Sequence, residues 1–148
     1  MKSSEKELES IIIKNLQSIS ALKNEIESKE MELHDQIKKN AEEVIRIIDS
    51  FELIEDDFIA KGLDKDDIII KAINRYKTIK KKLLNLLQKS GITKIEFSEN
   101  RMIVGLCEVV ETIADNSKQN DEIVSVVRSG YIRGNELIRP AQVIIVKN

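Results

Sequence analysis

Residues 129–147 read Ser129-Gly-Tyr-Ile-Arg-Gly-Asn-Glu-Leu-Ile-Arg-Pro-Ala-Gln-Val-Ile-Ile-Val-Lys147, and this stretch decides the fold. Gly130 and the pair Gly134-Asn135 are residues that tolerate a positive φ, which a tight reversal of the chain requires. The residues from Leu137 to Val146 are rich in β-branched side chains, which favours one long strand. Because Pro140 cannot donate a backbone hydrogen bond, the sequence predicts an edge strand or a bulge there.

The composition argues against several classes of protein. The net charge of −2 and the isoelectric point near 5.6 argue against a nucleic-acid binder, which is normally basic. Charged residues make up 34% of the chain and aromatic residues only 3%, a balance that suits solvated helices better than a large core.

The single cysteine, Cys107, cannot form an internal disulfide, which indicates a reducing compartment. No apolar run approaches the ~18 residues of a membrane span, and no signal-peptide core follows Met1. The sequence therefore predicts a cytoplasmic protein without a membrane partner.

A long helix is predicted in the N-terminal part, since the residues from Ser4 to Ala60 include neither proline nor glycine. Apolar residues recur every seven positions from Ile12 to Leu33 and then, after a shift in phase, continue to Phe58. No domain of this size can bury so long an apolar stripe, so we expect two copies of the chain to form a parallel coiled-coil homodimer. The predicted dimer interface comprises Ile19, Ile26, Leu33, Ile37, Val44 and Phe51.

A second helix is predicted from about Asp64 to Ser90, because acidic residues favour a helix N-terminus and Gly91 stands where helices commonly stop. Its apolar face and the dense apolar segment 44–58 each need several neighbours. We therefore expect two such helices from each of two chains to form a four-helix bundle. A run of lysines is interpreted as a solvated outer face rather than a nucleic-acid patch: Lys77, Lys80, Lys81 and Lys82.

After Gly91 the apolar pattern changes from that of helices to that of strands. Four β-type runs are separated by polar or glycine-containing turns: Ile92–Phe97, Met102–Thr112, Ile123–Arg128 and Leu137–Val146. Apolar residues on both faces of the last run indicate that at least one strand is covered on both sides. The predicted fold class is α+β, with a long N-terminal coiled-coil helix, a short helix in a dimeric four-helix bundle, and a small C-terminal all-β domain. The predicted domains are residues 1–91 and residues 92–148, and we call the second the β domain.

Three stretches carry a resemblance to a known family. Residues 44–51 hold aliphatic side chains followed by an aspartate, and residues 83–95 hold paired leucines followed by a Gly-Ile turn. The third stretch holds Gly130-Tyr131 and Arg139-Pro140-Ala141-x-Val143-x-Ile145. The chain resembles GrpE, the nucleotide exchange factor of DnaK-type chaperones in protein folding and the stress response. The resemblance implies a dimeric wedge whose β domain presses on the nucleotide-binding domain of the chaperone, so that ADP leaves.

The resemblance also implies a partner-binding surface on the β domain. We expect it around Gly130, Tyr131, Arg133, Arg139, Pro140 and Val143. Tyr131 is interpreted as either a core aromatic or a contact. Arg139 is predicted to face the partner or to fix a turn, since a guanidinium can fork two hydrogen bonds to one carboxylate or to carbonyl groups.

The chain also departs from the family pattern. The Phe-Asp-Pro-x-x-His-Glu-Ala region expected after Ile95 survives only as Phe97 and Asn100, and Arg133 and Glu136 replace an apolar and a basic residue. The N-terminal extension common in the family is short, so we expect a divergent or shortened member. These departures leave open a second hypothesis, a coiled-coil dimeric adaptor or structural interaction protein that has a GrpE-like β domain but no exchange activity.

Neither hypothesis involves catalytic chemistry. The only histidine, His34, lies in the predicted long helix without a cysteine or carboxylate cluster around it. Cys107 is interpreted as a small buried apolar residue, since nothing near it in the sequence would lower its pKa. The sequence therefore predicts that the protein is not an enzyme and holds no metal or cofactor.

Overall fold

A computed structural model describes every residue from Met1 to Asn148. The first helix, α1, spans Lys2–Ala60. Because no proline or glycine interrupts this span, the backbone hydrogen bonds continue to its end. The helix stops just before Gly62, which has a φ of +66°. The prediction of one long helix is confirmed, and none of the helices is both long and apolar enough to cross a membrane.

The second helix, α2, spans Asp67–Lys89. It begins slightly later than predicted, because Leu63–Lys65 form a short 3-10 helix and Asp66 then takes the N-cap position. The Asp66 carboxylate accepts hydrogen bonds from the backbone N–H groups of Ile68 and Ile69, at 2.8 and 3.2 Å. These donors have no acceptor inside the helix, so the cap stabilises its first turn.

Contacts within the chain divide it into two units, residues 1–39 and residues 40–148. The first unit belongs to α1 apart from Met1, and none of its residues is buried. The second unit holds the rest of α1, α2 and all of the strands. This division falls inside α1, and the domain boundary between residues 91 and 92 stays a prediction.

Six short strands form two sheets after Gly91. Their bounds are β1 Ile92–Lys94, β2 Cys107–Ile113, β3 Ile123–Arg128, β4 Tyr131–Arg133, β5 Glu136–Arg139 and β6 Ala141–Val146. One sheet is antiparallel and has the order β1-β4-β5. The other has the order β2-β6-β3, in which β2 is parallel and β3 antiparallel to β6. The predicted α+β fold, with two helices followed by a small β domain, is confirmed.

Pro140 marks the point at which the chain passes from one sheet to the other. The sequence predicts one strand from Leu137 to Val146, but the structure divides it into β5, at the edge of the first sheet, and β6, at the centre of the second. The break falls at the residue that has no N–H to donate to either ladder. The predicted edge position is right for β5 and wrong for β6. Val143 and Val146 of β6 are fully buried, as expected for a strand covered on both faces.

Two other strands are shorter than the sequence predicts. β1 ends at Lys94, and a 3-10 turn follows in which Glu99 and Asn100 have positive φ angles. β2 begins only at Cys107, because the chain first turns at Gly105, which has a φ of +87°. The predicted bounds of β3 agree with the structure.

The two glycines that the sequence assigns to the reversal serve different purposes. Gly134 lies in the turn between β4 and β5 with a φ of +57°, as predicted. Gly130 does not have a positive φ, so that prediction is wrong. A Cβ at Gly130 would lie 2.4 Å from the backbone nitrogen of Ala141 and 2.7 Å from Cδ1 of Ile95. Glycine is therefore required there because there is no space for a side chain.

Buried side chains lie around β6 and on one face of α1. The core around β6 comprises Ile123, Ala141, Val143 and Ile145, with Phe97, Met102 and Cys107 packed against it. On α1, Ala41, Ile45 and Ile48 are buried, and their spacing of four and three residues places them on one helix face. The next residue, Asp49, forms ion pairs with the β domain. The C-terminal part of α1 around these residues, which we call its foot, therefore packs against the β domain.

Candidate functional site

Asp49 lies at the centre of a polar cluster that we call the Asp49 node: Asp49, Arg128, Ser129 and Arg139. Arg139 donates to both carboxylate oxygens of Asp49, from Nη1 to Oδ2 at 2.6 Å and from Nη2 to Oδ1 at 2.8 Å. Arg128 donates to Oδ2 from Nε at 3.2 Å and from Nη2 at 3.0 Å. Arg139 also donates to the Ser129 carbonyl, from Nε at 3.1 Å and from Nη2 at 2.6 Å. The node thus joins α1 to the ends of β3 and β5.

The centre of the node is largely shielded from solvent. The side chains of Asp49 and Arg139 are 17% and 15% exposed, whereas that of Arg128 is 44% exposed. Burial acts to raise the pKa of Asp49, but the hydrogen bonds and charges of Arg139 and Arg128 outweigh it and hold that pKa below its ordinary value. Asp49 is therefore charged at neutral pH and forms charge-assisted hydrogen bonds, which are roughly twice as strong as neutral ones.

The ring of Tyr131 packs against Arg139, with 5.5 Å between the guanidinium carbon and the ring centroid. This distance falls within the ~6 Å range of a cation–π contact. Burial, followed by the nearby Glu52 carboxylate, raises the pKa of the Tyr131 hydroxyl to about 12. The hydroxyl has no hydrogen-bond partner in the chain. Tyr131 thus supports the node by packing and stays neutral at physiological pH.

The residues predicted to contact a partner differ in their access to the surface. Three are buried: Gly130, Tyr131 and Val143. These three residues lie beneath the surface of the single chain, and their part in partner binding stays a prediction. Arg133 and Pro140 are partly exposed, and Pro140 directly follows the node.

Arg139 fixes the chain internally. The sequence predicts that it faces a partner or fixes a turn, and the geometry favours the second role because all three guanidinium nitrogens donate within the chain. Sequence reasoning did not identify Asp49 and Arg128 as its neighbours. Asp49 lies 90 residues before Arg139, and no local pattern links residues so far apart.

The predicted dimer-interface residues are not all in the same environment. Three are exposed on the single chain: Ile19, Ile26 and Leu33. Three are partly buried: Ile37, Val44 and Phe51. Phe51 stacks on Tyr76 of α2, with ring centroids 5.7 Å apart and an interplanar angle of 11°. This contact joins the two helices within one chain.

Glu55 forms a second ion cluster on α1, with two lysines of α2. Its Oε1 lies 2.8 Å from Nζ of Lys77, and its Oε2 lies 3.2 Å from Nζ of Lys80. The hydrogen bond from Lys77 is the main cause that lowers the pKa of Glu55. The interpretation of the lysine run as solvated agrees with the structure for Lys77, Lys81 and Lys82, which are exposed, although Lys77 also pairs with Glu55. It is wrong for Lys80, whose side chain is only 21% exposed and pairs with α1.

The comparison with known proteins is consistent with this architecture. A model of the GrpE family matches residues 1–147. The chain belongs to the GrpE family. A protein named Protein GrpE from Wolbachia sp. subsp. Brugia malayi (strain TRS) is 38% identical over 85 residues, which cover 57% of this chain and 45% of the relative.

Two further GrpE proteins show how far the similarity extends. The protein from Ehrlichia canis (strain Jake) is 35% identical over 88 residues, 59% of this chain and 42% of the relative. The protein from Francisella tularensis is 27% identical over 115 residues, 76% of this chain and 55% of the relative. The chain spans about half the length of these curated relatives.

Two of the stretches that carry the GrpE resemblance meet at the Asp49 node. Asp49 belongs to residues 44–51, and Arg139 begins the Arg-Pro-Ala motif. The chain has no group of three or more histidine, cysteine, aspartate or glutamate side chains that could hold a metal ion. The node itself joins α1 to the β domain through the hydrogen bonds of Arg128 and Arg139 to Asp49.

Proposed function

We propose that this chain is a nucleotide exchange factor, a co-chaperone that binds the nucleotide-binding domain of a DnaK-type chaperone and promotes ADP release. The observation that carries the proposal is the match of the GrpE family model to residues 1–147. The order of a long helix, a second helix and a small β domain supports it, since the resemblance implies that architecture.

The proposed mechanism is mechanical and needs no covalent step. The factor must bind the open, nucleotide-free chaperone more tightly than the ADP-bound form, because only a difference in affinity shifts a conformational equilibrium. We assign the contact to the β domain, with Arg133 and Pro140 at the surface. The remaining predicted residues of this surface support it from within: Gly130, Tyr131, Arg139 and Val143.

We further propose that the active form is a parallel homodimer. The apolar residues that recur every seven positions in residues 1–39 are exposed on the single chain. A second copy of the same helix would bury this stripe as a coiled coil. Ile19, Ile26 and Leu33 would then lie in the interface, and Ile37, Val44 and Phe51 would continue it.

Titration calorimetry with the DnaK-type chaperone of the same organism tests the proposal. It measures the affinity of this protein for the nucleotide-free chaperone and for the ADP-saturated chaperone. By thermodynamic reciprocity, the factor by which ADP weakens this binding equals the factor by which this protein weakens ADP binding. We expect ADP to weaken the binding of this protein to the chaperone at least ~tenfold, equivalent to about 1.4 kcal/mol.

The chaperone's peptide-binding domain alone is the control and should not reproduce the ADP-sensitive binding. Binding that ADP leaves unchanged would contradict exchange activity and favour the adaptor hypothesis. Absence of binding to either nucleotide state would contradict the proposal altogether.

A further inference from the structure

The Asp49 node connects three parts of the molecule through one carboxylate. Asp49 lies on α1, Arg128 ends β3, and Arg139 ends β5. Both guanidinium groups donate to Oδ2 of Asp49, and Arg139 also engages Oδ1. Because β3 and β5 belong to different sheets, the node attaches both sheets to the helix.

The node also lies where the chain passes between the sheets. Ser129 and Gly130 connect β3 to β4, and Pro140 connects β5 to β6. The Ser129 carbonyl accepts from Arg139, and a side chain at position 130 would collide with the backbone of Ala141. The β3–β4 and β5–β6 connections therefore lie against each other, and a loosened node would make both connections more mobile.

The charge of Asp49 is needed to hold the arginines together. Without it, two guanidinium groups would face each other, and Arg139 would be a largely buried cation without its counterion. Removing one partner of a buried ion pair is costly because the remaining charge is uncompensated. An amide at this position keeps the size and one acceptor oxygen but loses the charge.

Glu55 provides an internal comparison, since it lies on the same helix and also pairs with two cations. Its partners, Lys77 and Lys80, are on α2, so this cluster joins helix to helix. Its carboxylate side chain is 20% exposed, close to the 17% of Asp49. The two acids are thus similarly exposed, but they differ in the element that each attaches to α1 and in their cations, which are arginines at Asp49 and lysines at Glu55.

We propose that Asp49 is a positioning residue, whose ionised carboxylate holds the β domain at a fixed orientation on the foot of α1. This inference rests on the proposed exchange function. A wedge transmits force to the chaperone only if it is rigid, so loosening the joint lowers the rate of ADP release from the complex. The affinity for the chaperone changes less, because Asp49 and Arg139 at the centre of the node are largely shielded from the surface.

The test compares Asp49→Asn with Glu55→Gln in stopped-flow ADP release, titrating each variant against the chaperone. We expect Asp49→Asn to lower the maximal release rate at least ~tenfold, or about 1.4 kcal/mol, with a much smaller change in half-saturating concentration. Glu55→Gln should leave the maximal rate near that of the wild type. Asp49→Glu, which keeps the charge, should restore part of the rate. If Asp49→Asn does not fold, Arg128→Gln removes the more exposed cation but keeps the Asp49–Arg139 pair. It should lower the maximal rate by a smaller but measurable factor.

Hydrogen–deuterium exchange of the free protein tests the joint without the chaperone. Asp49→Asn should speed exchange in residues 128–141 and leave α2 unchanged, whereas Glu55→Gln should leave residues 128–141 unchanged. If the wild-type protein does not accelerate ADP release from the chaperone, the proposed function fails. The hydrogen–deuterium exchange pattern still decides whether Asp49 holds the β domain on α1. A wild-type maximal rate in Asp49→Asn, or equal rate losses in Asp49→Asn and Glu55→Gln, would overturn the inference. Unaltered hydrogen exchange in residues 128–141 would overturn it as well.

Discussion

The two parts of α1 show apolar residues at similar helical spacing but have different surroundings. In residues 1–39 no side chain is buried, and Ile19 and Ile26 are exposed. In residues 40–60, Ala41, Ile45 and Ile48 are buried by the chain itself. Periodicity alone therefore indicates that a helix face will be covered, but not what covers it. The second part is covered within the chain, since Asp49 pairs with the β domain and Phe51 stacks on Tyr76 of α2. For the first part we propose a second copy of the chain as the cover.

The largest expected effect is in the part of α1 that packs within the chain. Ile48→Ala removes a side chain with 0% exposure, and such changes in cores cost about 2–5 kcal/mol. Urea unfolding followed by circular dichroism measures this loss of unfolding free energy. Because Ile48 is buried by its own chain, the loss should be the same at low and high protein concentration.

Ile13→Ala is the matched control for this change. Ile13 lies on the same helix, is 55% exposed and is outside the predicted seam. Surface substitutions of this kind usually change stability by less than ~0.5 kcal/mol. Equal losses for Ile13→Ala and Ile48→Ala would contradict the assigned difference between the two parts.

The next effect concerns the exposed part of α1. Ile26→Lys places a charge in the predicted seam, and we expect it to weaken the dimer at least ~tenfold, or about 1.4 kcal/mol. Light scattering coupled to size exclusion should show about twice 16.9 kDa for the wild type and a mass nearer 16.9 kDa for the variant. Glu27→Gln, which changes the net charge of the neighbouring residue by a single unit, should remain dimeric. A wild-type monomer at every concentration would contradict the dimer.

A smaller effect is the dependence of stability on pH at the foot of α1. The pKa of Asp49 is lower in the folded chain than its ordinary value, so the unfolded chain takes up its proton at higher pH. The stability that Asp49 contributes is therefore present above ~pH 5 and is lost as the pH falls below ~4. The charged and titratable groups of its surroundings are Arg128 and Arg139, together with Glu52 and Tyr131.

Thermal unfolding of the wild type and Asp49→Asn at several pH values measures this contribution. The variant should have the lower Tm at neutral pH, and the two Tm values should converge in acid. A difference in Tm that is the same at every pH would show that the charge of Asp49 is not what stabilises the node.

The smallest expected effect separates two adjacent lysines of α2. Lys80 lies 3.2 Å from Glu55 and its side chain is 21% exposed, whereas Lys81 is exposed. Partly exposed ion pairs contribute about 0–1 kcal/mol to stability. Substitution of an unpaired surface residue changes stability by less than ~0.5 kcal/mol. Lys80→Ala should therefore lower Tm slightly and Lys81→Ala should not. The reverse order in calorimetry would contradict the assigned face of α2.

The parts of the fold that depend on local chemistry were predictable from the sequence. The absence of proline and glycine predicts α1, the aspartates and Gly91 predict the ends of α2, and Gly134 predicts the turn between β4 and β5. Long-range geometry was not predictable. Gly130 is a glycine because Ala141 lies against it, and Arg139 binds Asp49 across 90 residues. Pro140 predicted an edge strand or a bulge, which is right only for β5, and its neighbours alone could not show that the chain changes sheets there.

The most direct test of the central claim is the rate of ADP release from the DnaK-type chaperone of the same organism. Stopped-flow fluorescence with a labelled ADP measures this rate with and without the wild-type protein. We expect acceleration of at least ~tenfold at saturation, which corresponds to about 1.4 kcal/mol off the barrier to release. An unchanged release rate at a concentration where binding is saturated would contradict the assignment as an exchange factor.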